Sequence, residues 1–106
     1  MSNSAVIYAR YSVLNESLEK LNNQISECKN VAKKHGLVIV EEYVDRGENT
    51  NDARPAFQRM LRDADRGAFD YIIVYSVDRF SRNKQDTENY IERLKQKGVK
   101  ILFVEE

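Results

Sequence analysis

The chain has 106 residues, with 17 Lys and Arg balancing 17 Asp and Glu. This length supports one domain with one modest core, and the zero formal charge excludes a globally basic nucleic-acid binder while leaving room for a local basic site. One cysteine and one histidine exclude an internal disulfide and a Cys/His zinc site, so a reducing, cytoplasmic setting is the expectation. Residues 1–9 lack the pattern of a secretion signal, and no apolar run approaches the length of a membrane span.

In chain order, Ala5-Val6-Ile7-Tyr8-Ala9 reads as a first strand, followed by Arg10-Tyr11-Ser12. Leu18, Leu21, Ile25, Cys28 and Ala32 recur at steps of three and four, which predicts a helix from about Ser17 to Lys34 with those residues inward. Asn15 or Ser17 can cap it, and His35-Gly36 ends it. Leu37 to Val40, running toward Tyr43, is the second strand; Asp45-Arg46-Gly47 and a polar stretch follow. Arg54-Pro55 opens a second helix, proline being tolerated in a first turn, with Phe57, Met60, Leu61 and Ala64 as its apolar stripe and Gly67 as its stop. Phe69 to Tyr75 is the third strand, followed by Ser76 to Asn83 as a loop. A third helix runs from Lys84 or Asp86 to Lys97 with Ile91 and Leu94 inward, and Val99 to Val104 is the fourth strand. The strands are β-branched and mostly unbroken, which suits parallel strands covered on both faces. Tyr8, Tyr43, Tyr71 and Tyr75 read as core or edge packing.

The alternation of strands and helices predicts an α/β fold: a three-layer α/β/α arrangement on a mainly parallel four-stranded sheet with crossover helices. Sites in such folds form beyond the carboxyl ends of the strands. There the sequence puts Arg10 and Ser12, then Asp45, then Asp78, Arg79 and Arg82, joined by Arg54 at a helix start. A serine hydroxyl needs activation, and the sole histidine, His35, is expected at the opposite edge, where it suits a helix C-terminus. Guanidinium groups instead bind phosphate oxygens bidentately. A phosphate-ester centre in which arginines neutralise charge around Ser12 therefore fits these residues. Asp45 has a plainer reading as the cap of a turn, Asp78-Arg79 as a surface ion pair, and Asn83 or Ser81 as a helix cap. Tyr11, next to Ser12, is placed to stack near a substrate. No glycine-rich nucleotide motif and no dense carboxylate cluster for magnesium occurs, so neither cofactor nor metal is expected.

The run Ile7-Tyr8-Ala9-Arg10-Tyr11-Ser12, with Gln24, Asp45, Arg54-Pro55 and Asp78-Arg79-Phe80-Ser81-Arg82-Asn83, resembles the catalytic domain of serine recombinases, the resolvases, invertases and large serine integrases or transposases. The Arg-Pro pair before Ala-Phe and the Asp-Arg-Phe-Ser-Arg-Asn run resemble the large-serine branch most. The resemblance implies that Ser12 attacks a DNA phosphodiester, giving a 5′-phosphoserine link and a 3′-hydroxyl. It implies that Arg10, Arg54, Arg79 and Arg82 grip the scissile phosphate. Asp78 would orient arginines or assist the leaving oxygen, with Asp45 and Gln24 in support. Tyr11, Asn83 and Lys84 become candidates for contact with the DNA backbone. The implied partners are double-stranded DNA and further copies of the chain, as dimer and tetramer.

Two departures stand out: Glu48-Asn49-Thr50-Asn51-Asp52 lacks the family's usual Ser-Gly pair, and Tyr11 stands where valine is common. The resemblance also makes residues 1–106 an N-terminal catalytic segment ending before a long dimerisation helix and a DNA-binding region, expected to recombine poorly alone. A regulatory domain of the same fold that binds the DNA backbone without chemistry, and a small phosphate-ester hydrolase, are the alternatives.

Overall fold

The computed structural model describes residues 3–12, 17–47, 53–81 and 83–105. Strand β1 (Ser4–Ser12) leads into helix α1 (Leu18–Lys34), strand β2 (Val38–Gly47), helix α2 (Pro55–Asp65) and strand β3 (Tyr71–Ser76). A single helical turn α3 (Val77–Phe80), helix α4 (Lys84–Gln96) and strand β4 (Lys100–Glu105) complete it. All strand pairs are parallel, in the order β2-β1-β3-β4. The chain therefore moves from β1 to one side, then returns across β1 to the other. Because parallel crossovers are right-handed, this reversal puts α1 on one face of the sheet and α2 with α4 on the other. The packing agrees: Cys28 and Ala32 of α1 close on Ala5, Ile7 and Ile73, while Phe57, Met60, Leu61 and Leu94 close on Val6, Tyr8, Ile72 and Val74. The three-layer parallel α/β arrangement is the one the sequence pattern predicts. Among the described residues, no helix is long and apolar enough to cross a membrane.

Several boundaries differ from the sequence expectation. β1 continues through Arg10 and Tyr11 to Ser12, because β2 runs on to Gly47 and keeps pairing with it. Asp78 and Arg79 lie in the turn α3 rather than in open loop. Leu18, expected inward, is 63% exposed, since it begins α1 beyond the reach of the sheet. Val38 and Val40 are also exposed, so the edge strand β2 is not covered on both faces.

A register shift in β2 changes which of its residues meet which layer. Ala5 pairs with Ile39, but Val6 pairs with Glu41, leaving Val40 as an extra residue. Ile39 packs toward α1 and Tyr43, four residues on, toward α2. In an unbroken strand these two would share a face; the bulge at Val40 inverts the phase.

Capping follows the sequence at three helix ends. Ser17 accepts the Lys20 amide at 3.2 Å, His35 closes α1 through its N–H to the carbonyls of Val31 and Ala32, and Asn83 Oδ1 accepts the Asp86 amide at 2.8 Å. The Asn15 alternative lies outside the described residues. Helix α2 has no side-chain cap of its own, and its start belongs to the site.

Candidate functional site

The reversal of strand order makes the gap between β1 and β3, at their carboxyl ends, the place where a ligand crevice forms in such sheets. β1 pairs with β3 only from Ala5 to Tyr8, so the backbone of Arg10 faces a gap. Side chains satisfy it on both counts. The Arg10 amide donates to Gln24 Oε1 at 3.3 Å, and its carbonyl accepts from Arg79 Nη1 at 2.9 Å. Gln24 is buried for this purpose, and Arg79 ties α3 to β1.

Side chains alternate along a strand. Tyr8, Arg10 and Ser12 therefore share the face toward α2, about 7 Å apart per step of two. Arg10, Arg54, Asp78, Arg79, Phe80 and Ser81 line one small crevice on that side. Three guanidinium-bearing residues from distant parts of the sequence thus converge. Ser12, half-buried at the end of β1 opposite Gly47, lies one step of the strand beyond Arg10. The Asp78 carboxylate is exposed and accepts from Ser76 Oγ at 2.5 Å. Arg82 lies outside the described residues. Lys84 is exposed at the start of α4.

Asp45 organises the approach of α2. It is buried, and its carboxylate accepts the Ala56 amide at 2.8 Å, the Phe57 amide at 3.0 Å and the Tyr8 hydroxyl at 2.7 Å. Pro55 has no N–H, so these two amides are the first donors of the helix, and a β2 residue caps them. Asp45 therefore caps a helix start 11 and 12 residues along the chain rather than a local turn. Arg54, just ahead, has left-handed backbone (φ 51, ψ 59), unusual for a non-glycine residue and further disfavoured before proline. Its side chain is held at several points. Nε donates to the Tyr8 hydroxyl at 3.3 Å, Nη2 donates to the Phe80 carbonyl, and the guanidinium carbon sits 3.7 Å from the centre of the Phe57 ring. Burial pushes the Tyr8 phenol well above its ordinary pKa, a rise opposed by the Arg54 charge and assisted by Asp45; Tyr8 stays neutral and donates to the carboxylate.

One expectation needs correcting. Tyr11 is only 6% exposed and packs with Ala9 and Leu21 on the α1 side. As the odd member of the Arg10-Tyr11-Ser12 strand segment it must face away from Ser12, so it offers no surface for stacking. Asn83 caps α4, as its plainer reading had it: beyond the Asp86 amide it accepts, Nδ2 donates to the Asp86 carboxylate at 3.0 Å. Sequence reasoning in turn missed Tyr8, read as packing. The available signal was its alternation with Arg10 and Ser12. His35 closes α1 at the amino edge, beside Val38, whose strand neighbour on β1 is Ser4; roughly 26 Å of strand then separates it from Ser12, which excludes a Ser–His relay.

A parallel sheet whose strand order reverses at β1, with arginines gathered at that switch point, is a doubly wound α/β domain. Within that class, the chain belongs to the family described as "Resolvase, N terminal domain", which it matches over residues 5–106. It is similar to the crystal structure of a resolvase family site-specific recombinase from Streptococcus pneumoniae (28% identity, TM-score 0.85, covering 95% of this chain and 71% of that one). It is similar also to the C-terminal catalytic domain of ISC1926 TnpA, an IS607-like serine recombinase (29%, TM-score 0.84, 97% and 70%). The Transposon Tn501 resolvase of Pseudomonas aeruginosa is 31% identical over 68 residues, 64% of this chain and 36% of that protein. A relative from Bacillus subtilis (strain 168) is 30% identical over 101 residues, of whose length the chain spans 20%. The chain thus spans between a fifth and about a third of the length of these curated relatives.

Proposed function

We propose that this domain cuts and rejoins DNA strands in site-specific recombination, with Ser12 as nucleophile. The observation that carries the reading is the convergence of Arg10, Arg54 and Arg79 on one crevice, with Ser12 on the same face of β1. In the proposed step Ser12 Oγ attacks phosphorus, the bond to the 3′-oxygen breaks, and that oxygen leaves as a 3′-hydroxyl on taking up a proton. The Ser12 proton is lost to solvent or to a neighbouring base. The product is a 5′-phosphoserine ester, and attack by a 3′-hydroxyl reverses the step and restores Ser12. Charge on the non-bridging oxygens grows in the pentacoordinate state, where fixed guanidinium groups have their largest effect; Arg82 joins them in this reading. Backbone contacts of this kind are salt-dependent and poor in sequence information. Asn83 and Lys84, both exposed where α4 begins, are candidates for such a contact, and copies of a longer chain would assemble on the paired sites.

The test uses duplexes nicked beside the scissile position, so that cleavage cannot reverse, drawn from a pool of randomised sequence. A covalent protein–DNA product on denaturing gels, with the added mass on Ser12 and absent from Ser12→Ala, is the expected result. An adduct that persists in Ser12→Ala removes Ser12 as nucleophile. DNA binding with no adduct favours the binding-only alternative, and release of free 5′-phosphate without adduct favours a hydrolase.

A further inference from the structure

Phe57 is fully buried, and its ring meets Tyr8, Phe80 and Tyr90 in tilted or edge-on contacts at centroid separations of 5.0–5.4 Å. Hydrophobic packing explains those neighbours, and a leucine or methionine would fill much the same space. It does not explain the Arg54 guanidinium, whose carbon sits 3.7 Å from the ring centre. The Tyr8 ring lies further off, at 5.4 Å. The face of a benzene ring carries partial negative charge and attracts a cation placed over it.

We propose that Phe57 is a positioning residue for the phosphate site: its ring face holds the Arg54 guanidinium in the crevice before the substrate arrives. The inference rests on the DNA-cleavage reading and deepens it. Arg54 starts from strained left-handed backbone, and its cation shares a crevice with those of Arg10 and Arg79 and with the Asp78 carboxylate, so charges of both signs act on it while no phosphate is bound. Three contacts fix its position. The Tyr8 hydroxyl and the Phe80 carbonyl take two of the five N–H donors in the guanidinium plane, and Phe57 covers one face of that plane. The fork is thereby oriented without being saturated. The Phe57 amide also donates to Asp45, so the same residue fixes the start of α2 and the side chain that precedes it. Positioning of this kind lowers the reorganisation needed in the transition state.

The decisive experiment replaces Phe57 with phenylalanines carrying one, two and three ring fluorines. Successive fluorines drain the negative face while hardly altering ring volume, so a purely structural role leaves the series flat. Two readouts are followed: the Arg54 Nε–Hε resonance, which a ring at this distance shifts, and the rate of Ser12 adduct formation at saturating nicked DNA. The expected result is a stepwise movement of the resonance. The rate falls with it, by roughly three- to thirty-fold across the series, at an unchanged half-saturating DNA concentration. Phe57→Tyr retains most of the rate and Phe57→Leu loses it. An Arg54 resonance and rate that stay constant through the fluorine series overturn the proposal. Absence of any adduct in the unsubstituted chain overturns the Ser12 reading instead; the resonance series then decides by itself whether the ring fixes the guanidinium.

Discussion

Asp45 gathers three donors on one buried carboxylate. Asp45→Ala strands two helix amides and the Tyr8 hydroxyl. The loss of a cap and the burial of unpaired groups together are expected to cost about 1–3 kcal/mol, read as a lower urea midpoint. Asp45→Asn keeps one acceptor oxygen and is expected to fall between that variant and the parent. Cys28 lies at the other extreme, fully buried in the α1 layer, where burial pushes its thiol up to about 12 from an ordinary 9.0. A thiol held neutral stabilises the fold fully below its unfolded pKa, and that contribution disappears as pH rises from about 9 toward 12. Cys28→Ala is therefore expected to flatten the alkaline limb of a stability-versus-pH curve, and native Cys28 should resist alkylation until the chain unfolds.

At the scale of elements, β2 and α2 are joined by a second polar tie besides Asp45. The Tyr43 hydroxyl donates to Asp63 Oδ2 at 2.6 Å, Arg59 lies over the Tyr43 ring, and Arg66 reaches Asp63 from the end of the helix. The Tyr43 hydrogen bond, with help from the arginines, lowers the Asp63 pKa below its ordinary 3.8. A depressed carboxylate contributes stability above its unfolded pKa and loses it as pH falls through the folded value. Tyr43→Phe should lower stability at neutral pH yet reduce its decline below about pH 4, measured by urea unfolding across the acid range. Element existence was legible in the sequence because the signals were strong: apolar positions at helical spacing, Pro55 at a helix start, and glycines at helix ends. Element ends were less so. Nothing in Arg10-Tyr11-Ser12 announces that the strand continues, since that depends on the length of its partner β2. Once it does continue, Tyr11 is committed to the α1 side and its role as a substrate contact disappears. Leu18 shows the converse error, a residue with the right spacing and no sheet beneath it.

For the whole molecule, the site follows from topology. A strand order that doubles back across β1 leaves a gap at its carboxyl end, and three arginines reach it: Arg10 near the end of β1, Arg54 just before α2 and Arg79 in the turn that follows β3. The sequence alone located this convergence, since order and spacing are enough to say which strand ends share an edge. It did not reveal how Arg54 is held, because the cage of Tyr8, Phe57 and Phe80 is assembled from residues whose composition says only "core". The extra residue at Val40 has a consequence that reaches this far. Excising it would restore a regular zigzag to β2 and rotate every later side chain of that strand by half a turn. Asp45 and Tyr43 would then point at the wrong helix, α2 would lose its anchor, and Arg54 its foothold, although all three residues remain in the chain. A Val40 deletion should therefore unfold with lower cooperativity and form no Ser12 adduct, whereas Val40→Ala, which keeps the count, should behave like the parent. In this domain the number of residues in an outer strand, rather than their chemistry, keeps the arginine crevice in focus.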